Sequence, residues 1–309
     1  MGAVHKAILL CSIMLLMPHA HAVQIEPEQW QGKIEVQGGY SILVEEYTQT
    51  WCQRCAEIDP DLGIVAEEHA NRIAMVSYHN DDGVDAFGPE AAQHRLERLK
   101  IQHGDPTGYP SFVVNNGELR EDVVSWPDVQ SDILKAESNQ RHFTNLMVTV
   151  ESNESHLTVK AIPAHSSSDD NDTQYTIMFV QHKKAVGEAF ENPGESHRDR
   201  VLVGLAEFPM KGPQIAIGTT IDAPMVASYP TNGLEEWSVI VIHEYTSSAL
   251  QNRSTMNSQP LGVVQISMQS SVLDDTGELP LMLPIMIFLA VGMLGLVSLN
   301  YEEKVREEE

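Results

Sequence analysis

The sequence predicts a mixed fold, in which an α/β domain is followed by an all-β sandwich and one transmembrane helix. Three patterns in the 309-residue chain lead to this prediction. An apolar run at residues 42–44 precedes apolar residues at helical spacing over 58–66, as in a strand followed by a helix. After about residue 143 the apolar residues alternate with period two. Residues 279–299 carry no charge. The expected domains span residues 23–140 and 141–272.

The first 22 residues have the pattern of a secretory signal peptide. Lys6 precedes an apolar run at residues 7–17, and Ala20-His21-Ala22 provides a cleavage site. Cys11 lies inside this segment and is removed with it, so Cys52 and Cys55 are the cysteines of the mature chain. Export implies a compartment in which disulfides persist.

The two remaining cysteines lie where the first predicted strand meets the first predicted helix. Cys52 is near the helix start, where free N–H groups and the positive end of the helix dipole favour a thiolate. Cys55, one turn later, can resolve a mixed disulfide. The alternatives are a structural disulfide and half of a zinc site. We favour a redox pair, because so short a loop stabilises a fold little and no further cysteines remain to complete a zinc site.

Four features surround the cysteines in a defined order. They are an acid six residues before the first cysteine, the Trp-Cys-x-x-Cys motif, a proline five residues after the second cysteine and a Tyr-Pro pair before an apolar strand: Glu46, Trp51 to Cys55, Pro60 and Tyr109-Pro110. This combination resembles the active-site segment of the thioredoxin superfamily. The resemblance covers roughly residues 30–138.

The resemblance implies a role for each of these residues. Cys52 would attack and Cys55 would resolve, while Glu46 would be a buried acid that carries a proton to the resolving thiol. Pro110 would lie in a cis-proline loop that faces the two sulfurs and shapes the substrate groove. The other residues expected to line the groove are Trp51, Arg54 and Tyr109.

Two departures from the family pattern concern the same site. Gln53 and Arg54 replace the Gly-Pro pair of thioredoxin, and the cation of Arg54 should favour the thiolate of Cys52 and a more oxidising couple. The second departure is an insertion at about residues 79–106. We expect this insertion to border the site and to affect the choice of substrate.

Seven segments after residue 143 show the alternation of half-buried strands. They lie at residues 146–150, 157–161, 175–179, 201–205, 215–219, 237–243 and 263–267. Short strands separated by turn-rich loops predict an immunoglobulin-like sandwich, of the fibronectin type because no cysteine pair bridges it. Sequons for N-glycosylation begin at Asn153, Asn171 and Asn252.

The charge-free segment at residues 279–299 is long enough to span a bilayer as a helix. Lys304 and Arg306 follow it, whereas the residues just before it are acidic. The positive-inside rule then places residues 300–309 in the cytoplasm and both domains outside. We therefore predict a single-pass protein of the cell membrane.

The charge and the histidines exclude several classes of function. The chain has 19 Lys and Arg against 44 Asp and Glu, a formal charge of −25, which would repel the phosphates of a nucleic acid. The histidines are scattered without the spacing of a ligand set, and residues 80–85 lack the spaced acids of a calcium loop. The sequence therefore predicts no metal, no other cofactor and no nucleic-acid partner.

The leading hypothesis is a membrane-anchored enzyme, a thiol–disulfide oxidoreductase that acts on exported proteins outside the cytoplasm. Its partners would be the thiols or disulfides of those proteins and a further redox protein. The alternative is a surface binding or adhesion protein, in which the region around the cysteines serves as a scaffold. The presence of both cysteines together with Glu46 and Pro110 favours the enzyme, and the direction of the redox reaction stays open.

Overall fold

The computed structural model of the chain describes residues 32–69, 72–139, 143–153, 155–163, 171–231 and 236–269. The predicted signal peptide at residues 1–22, the predicted transmembrane segment at 279–299 and the tail at 300–309 lie outside the described residues. Within the described ranges, no helix combines the length and the apolar character needed to cross a membrane.

Strands outnumber helices in the described part of the chain. The strands are β1 (Gly32–Gly38), β2 (Ile42–Thr48), β3 (Ile73–His79), β4 (Ser111–Val114), β5 (Arg120–Glu121), β6 (Leu146–Ser152), β7 (His156–Pro163), β8 (Thr173–Gln181), β9 (Lys184–Ala185), β10 (His197–Arg198), β11 (Val201–Pro209), β12 (Ile215–Ile217), β13 (Thr220–Ala223), β14 (Val226–Pro230), β15 (Trp237–Tyr245) and β16 (Gly262–Met268). The α-helices are α1 (Gln53–His69), α2 (Glu90–His103), α3 (Trp126–Asn139) and α4 (Ser247–Leu250).

A nine-stranded mixed sheet forms the centre of the described structure. Its order is β16-β15-β8-β11-β3-β2-β4-β5, with β12 also paired to β11. β3 runs parallel to β2 and to β11, whereas the other pairs are antiparallel. The pairing of β11 with β3 joins strands from the first and second halves of the chain in one sheet.

A five-stranded antiparallel sheet, in the order β1-β6-β7-β14-β13, packs against one part of the large sheet. The strands of the large sheet that face it are β8, β11, β15 and β16. Apolar residues from the two sheets form a common core, as in a β-sandwich. This core includes Leu146, Val148, Leu157, Val159, Ile177, Phe179, Val239 and Ile266.

Helices cover the opposite face of some of these strands and also other strands of the nine-stranded sheet. On α2, Leu96 and Leu99 join a buried apolar cluster with Met178 of β8 and Ile240 of β15. α1 and α3 pack with β2, β3 and β4 in a separate cluster, which includes Ile58, Leu62, Phe112, Val129 and Ile133. Four residues, 49–52, connect the end of β2 to the start of α1.

The predicted fold class is wrong. The described chain is mostly β and largely like a β-sandwich with added helices, rather than an α/β domain followed by a separate seven-stranded sandwich. The large sheet crosses the position of the boundary predicted at residues 140 and 141, because β11 pairs with β3. β1, from the first predicted domain, pairs with β6 in the five-stranded sheet. The predicted transmembrane helix lies outside the described residues.

The error has a physical reason. Periodicity identifies a strand, but the partners of that strand depend on which surfaces cover its two faces. β8 is buried along almost its whole length, because its residues contribute both to the core between the sheets and to the cluster with α2. An isolated sandwich predicted from alternation alone assigns one of these faces to solvent.

Candidate functional site

Cys52 and Cys55 lie at the junction of β2 and α1, in and just after a turn of residues 49–52 that we call the cysteine turn. The N–H of Cys52 donates to the carbonyl of Gln49 over 3.3 Å, and the carbonyl of Cys52 accepts from the N–H of Ala56 over 3.1 Å. The two sulfurs form a disulfide, with 5.3 Å between the Cα atoms. Cys52 is 7% exposed and Cys55 is 0% exposed, so Cys52 is the more accessible to a reacting partner.

The N–H of Cys55 donates a hydrogen bond to Sγ of Cys52 over 3.1 Å. This N–H is one of the groups in the first turn of a helix that have no carbonyl partner within the helix. After reduction, the same N–H and the positive end of the helix would stabilise a negative charge on the sulfur. The geometry therefore favours Cys52 as the nucleophile and Cys55 as the resolving thiol.

Glu46 lies in β2 and is fully buried. Its Oε2 accepts a hydrogen bond of 2.6 Å from the hydroxyl of Ser77, whereas no described residue donates to its Oε1. Burial and the nearby charge of Asp59 raise the pKa of Glu46 to about 7, against the opposing effects of Ser77 and Arg200. A carboxyl group with this pKa can take up and release a proton near neutral pH.

A second acid, Asp59, lies in α1 four residues after Cys55, on the same face of the helix. Burial raises the pKa of Asp59, and the cations of Arg200 and Arg198 oppose the rise. Nε of Arg198 lies 3.3 Å from Oδ2 of Asp59. Arg200 is also buried, and its carbonyl accepts the N–H of Ser77 over 2.8 Å. The two acids, Glu46 and Asp59, thus interact with each other and with two buried arginines.

The loop after β3 is hydrogen-bonded to the cysteine turn. Asp85 accepts the N–H of Thr50 over 2.6 Å, and Asp82 accepts Nε1–H of Trp51 over 2.9 Å. Asp85 also pairs with Nδ1 of His79 over 3.0 Å in a fully buried contact. Burial acts to raise the pKa of Asp85, but the contact with His79 and the backbone donors hold it below its usual value. The start of the predicted insertion therefore borders the site.

Arg54 links the start of α1 to another loop. Its guanidinium pairs with the carboxylate of Asp122, and the N–H of Asp122 donates to the carbonyl of Pro110 over 2.7 Å. The peptide bond between Tyr109 and Pro110 is cis. Tyr109 is partly buried against the apolar cluster that contains Leu43. Asp122 thus links the loop of Tyr109 and Pro110 to Arg54, which lies between the two cysteines in the sequence. The ion pair with Asp122 also partly neutralises the charge of Arg54.

A hairpin from the second half of the chain also reaches the site. β9 and β10 pair, and the N–H of Val186 donates to the carbonyl of Ser196 over 2.8 Å. A Cβ atom added at Gly194 would lie 2.8 Å from Cβ of Ala56, so the hairpin rests on the first turns of α1. Nη2 of Arg198 donates to the carbonyl of Thr50 over 3.2 Å.

The asparagines that begin the three sequons, Asn153, Asn171 and Asn252, are exposed and lie outside the strands. Oδ1 of Asn153 accepts the N–H groups of Ser155 and His156 over 2.9 Å each, which closes the turn between β6 and β7. Exposed turns are the positions at which a glycan causes the least steric conflict.

The sequence analysis missed Asp59, Arg198 and Arg200. Asp59 carried a usable signal, because an acid four residues after Cys55 in a helix must lie on the same face as that cysteine. The two arginines carried none. Arg198 follows Thr50 by 148 residues, and only the fold brings it to the cysteine turn.

No family model matches the sequence, and no curated protein matches it. Among solved structures, HBP35 of Porphyromonas gingivalis is 15% identical with a TM-score of 0.48, over 75% of this chain and 76% of that chain. A protein of Agrobacterium tumefaciens is 12% identical with a TM-score of 0.43, over 75% of this chain and 96% of that chain. Similarities this weak carry no argument about family or function.

Proposed function

We propose that this protein is a thiol–disulfide oxidoreductase that acts on exported proteins through Cys52 and Cys55. The observation that carries the proposal is the hydrogen bond from the N–H of Cys55 to Sγ of Cys52. A buried Glu46 with a pKa of about 7, in the strand that precedes the cysteine turn, supports it. The order of these residues, with Pro110, supports a relation to the thioredoxin superfamily at the level of the active-site segment. The proposal does not depend on the fold class.

The chemistry follows from thiol–disulfide exchange. In the oxidised protein, a substrate thiolate attacks Sγ of Cys52, the bond between the cysteines breaks, and Cys55 leaves and takes a proton from Glu46. A second substrate thiolate then attacks the substrate sulfur of the mixed disulfide and releases Cys52 as a thiolate. The substrate loses two electrons and gains a disulfide, and the protein gains the electrons as a dithiol. The reduced protein runs the same steps in reverse, with Glu46 accepting the proton of Cys55.

The proposed substrates are exported proteins with reactive thiols or disulfides, which would bind along Trp51, Arg54, Tyr109 and Pro110. A further redox protein would restore the starting state of the dithiol. The apolar segment at residues 279–299 would hold the protein at the outer face of the cell membrane. The net direction then follows from the reduction potential of the couple relative to that of its redox partner.

Serine variants of the two cysteines test the proposal directly. With a peptide that carries one disulfide, reduced Cys55→Ser should accumulate a mixed disulfide at Cys52, because the resolving thiol is missing. Cys52→Ser should form almost none, since Cys55 is fully buried. Mass spectrometry of the acid-quenched mixture identifies the linked cysteine.

Alkylation of the reduced wild-type protein provides a second measurement. Iodoacetamide at mildly acidic pH should label Cys52 first, because the N–H of Cys55 stabilises its thiolate. Labelling of Cys55 first would reverse the assigned roles. If the wild-type protein exchanges no faster than its double serine variant, the oxidoreductase proposal is wrong and the alternative, a surface binding protein, is favoured.

A further inference from the structure

The guanidinium of Arg198 is buried beside the cysteine turn, although the residue belongs to the hairpin of β9 and β10. Arg198 is 5% exposed. Its Nη2 donates to the carbonyl of Thr50 over 3.2 Å, two residues before Cys52. Its Nε lies 3.3 Å from Oδ2 of Asp59, four residues after Cys55. A single side chain therefore bridges the segment before the dithiol and the helix after it.

The remaining donors of Arg198 bind its own hairpin. Nη1 donates to the carbonyls of Glu195 and His197 over 2.7 and 3.0 Å, and Nη2 donates to Oδ1 of Asn192 over 2.6 Å. With the bond to Thr50, these contacts use every N–H of the two Nη groups. Because the guanidinium is planar, they also define its orientation. Lysine, with one nitrogen, cannot reproduce this set.

We propose that Arg198 is a positioning residue that clamps the cysteine turn onto α1 and thereby sets the reactivity of Cys52. The inference rests on the oxidoreductase function proposed above, and it assigns a part in that function to the second half of the chain. The N–H of Cys55 stabilises a thiolate on Cys52 only while the turn holds the sulfur against this donor. Without the contacts of Arg198, the cysteine turn can move, and the hydrogen bond from the N–H of Cys55 to Sγ of Cys52 becomes longer. A longer hydrogen bond stabilises the thiolate of Cys52 less.

Gly194 shows how closely the hairpin must approach α1. A Cβ atom there would lie 2.8 Å from Cβ of Ala56 and 2.8 Å from Nη2 of Arg198, so either the hairpin or the helix would have to move. Gly187, on the same hairpin, differs, because a Cβ atom there would meet the ring of Phe190 at an ordinary 3.4 Å. The two glycines therefore offer a matched pair of substitutions: both retain Arg198 and its charge, but only the one at Gly194 displaces the hairpin or its arginine.

The first experiment replaces Arg198 and measures the reduced protein. In Arg198→Met, the pKa of Cys52 should rise, and each unit of rise lowers the thiolate fraction at mildly acidic pH about tenfold, which slows alkylation. The equilibrium with glutathione should shift toward the protein disulfide, because the reduced state has lost stabilisation. Arg198→Lys should behave like Arg198→Met, since it keeps the charge without the set of donors.

Arg98→Met is the matched control for the loss of a buried arginine. Arg98 is also 5% exposed, and its Nη2 donates to the carbonyl of Tyr245, away from the dithiol. This variant should lower the free energy of unfolding while leaving the alkylation profile and the glutathione equilibrium unchanged. The comparison separates a positioning role from a general loss of stability.

The second experiment compares Gly194→Ala with Gly187→Ala. We expect the first to shift alkylation and the glutathione equilibrium in the direction of Arg198→Met, and the second to match wild type. This pair decides the question if Arg198→Met fails to fold. Three results would each overturn the clamp. They are equal alkylation rates in the two glycine variants, a wild-type alkylation rate in Arg198→Met, and a wild-type alkylation rate in Arg198→Lys.

Neither readout needs a protein substrate. If the wild-type protein exchanges no disulfides with a peptide while Arg198→Met still slows the alkylation of Cys52, the proposed function fails and the clamp stands. If the wild-type protein exchanges and Arg198→Met leaves Cys52 unchanged, the function stands and the clamp fails.

Discussion

Glu45 and Glu46 are consecutive residues of β2, so their side chains point to opposite faces of the sheet. Both are buried, with exposures of 1% and 0%. Oε1 of Glu45 accepts from Nε of Arg95 and from the hydroxyl of Tyr78, each over 2.8 Å. Glu46 accepts from the hydroxyl of Ser77, and no described residue donates to its second oxygen. On one face of β2, Glu45 is thus paired with an arginine, and on the other face Glu46 has a carboxyl oxygen without a hydrogen-bond donor among the described residues.

The charges on the face of Glu45 form a compensated cluster. Nη1 of Arg95 donates to both carboxylate oxygens of Glu244 over 2.8 and 2.9 Å, and Nη2 of Arg98 lies 3.2 Å from Oε2. The hydroxyl of Thr176 donates to Oε1 over 2.6 Å. Burial acts to raise the pKa of Glu244, but Arg95 and Arg98 lower it to about 2. The cluster therefore joins α2 to β2 and β15 as an ion-pair network that persists at neutral pH.

The difference between the two faces distinguishes a structural acid from a candidate functional acid. Glu244 has cationic partners and remains ionised, so its contribution is to hold elements together. Glu46 keeps a free oxygen, and its pKa is shifted to about 7. Acids with such pKa values concentrate at catalytic sites, because proton transfer needs both protonation states within reach.

The largest expected effect comes from breaking the compensated cluster. Glu244→Gln should lower the free energy of unfolding by about 3–5 kcal/mol, because it leaves two buried arginines without their shared carboxylate. Urea denaturation at neutral pH measures the change. The control is Glu97→Gln, which removes an exposed pair with Lys100 and should cost about 1 kcal/mol or less. Similar losses in both variants would contradict the structural role of the cluster.

The same cluster should respond to acid. The pKa of Glu244 is about 2 in the folded chain, against an ordinary value of 4.5. Its stabilisation is complete above pH 4.5 and is lost as the pH falls toward 2, because only the unfolded chain takes up the proton over this range. The difference in unfolding free energy between wild type and Glu244→Gln should therefore narrow below pH 4.5. A constant difference down to pH 2 would show that ionisation of Glu244 is not the source of stability.

Glu46→Gln should alter chemistry more than stability. Without a group that accepts its proton, Cys55 should resolve a preformed mixed disulfide at Cys52 about 100-fold more slowly, the lower range for general acid–base catalysis. In wild type this rate should rise with pH through about 7, the pKa of Glu46, and the variant should lose that step. Stopped-flow fluorescence of a labelled peptide follows the release.

The control for this experiment is Glu118→Gln, in which the lost carboxylate is 72% exposed. It should match wild type in both rate and pH profile. A step near pH 7 that survives in Glu46→Gln would assign the titration to another group.

Glu46 and Glu244 should contribute to the free energy of unfolding with opposite dependences on pH. Below pH 4.5, the ordinary pKa, both the folded and the unfolded chain hold the proton of Glu46. Between pH 4.5 and about 7, only the unfolded chain releases this proton. The free energy of unfolding therefore falls as the pH rises over this interval, and the contribution of protonated Glu46 is lost above the folded pKa. Glu46→Gln should remove the fall, so that the variant gains stability relative to wild type over this interval. Parallel curves for the two proteins would contradict the raised pKa.

The smallest expected effect concerns Arg54, the exposed cation of the site. Its side chain is 60% exposed, and that of its partner Asp122 is 30% exposed. Arg54→Gln should therefore change the free energy of unfolding by about 1 kcal/mol or less. The alkylation rate of Cys52 should change less than in Arg198→Met, since solvent screens an exposed charge. A larger effect in Arg54→Gln would reverse the relative importance of the two arginines.

Local patterns in the sequence determined the immediate surroundings of the dithiol. A strand and a helix each have their own periodicity, so their junction at Cys52 could be located from neighbouring residues alone. The turn at Asn115-Asn116 is another local feature, because asparagine tolerates the positive φ angles of 48° and 55° found there. The resemblance to the thioredoxin superfamily, rather than periodicity, implied that Glu46 is buried, and its exposure in the structure is 0%.

The tertiary structure alone decided which strands share a sheet and which charges surround Glu46. β11 could have stayed within a separate sandwich, but it pairs with β3 and brings Arg198 and Arg200 to the region of the dithiol. Such pairings depend on the packing of both faces of a sheet and on contacts between residues far apart in the chain. Periodicity describes one strand at a time, so it cannot specify these contacts. The two arginines, Arg198 beside the cysteine turn and Arg200 near Glu46, were therefore visible only in the folded chain.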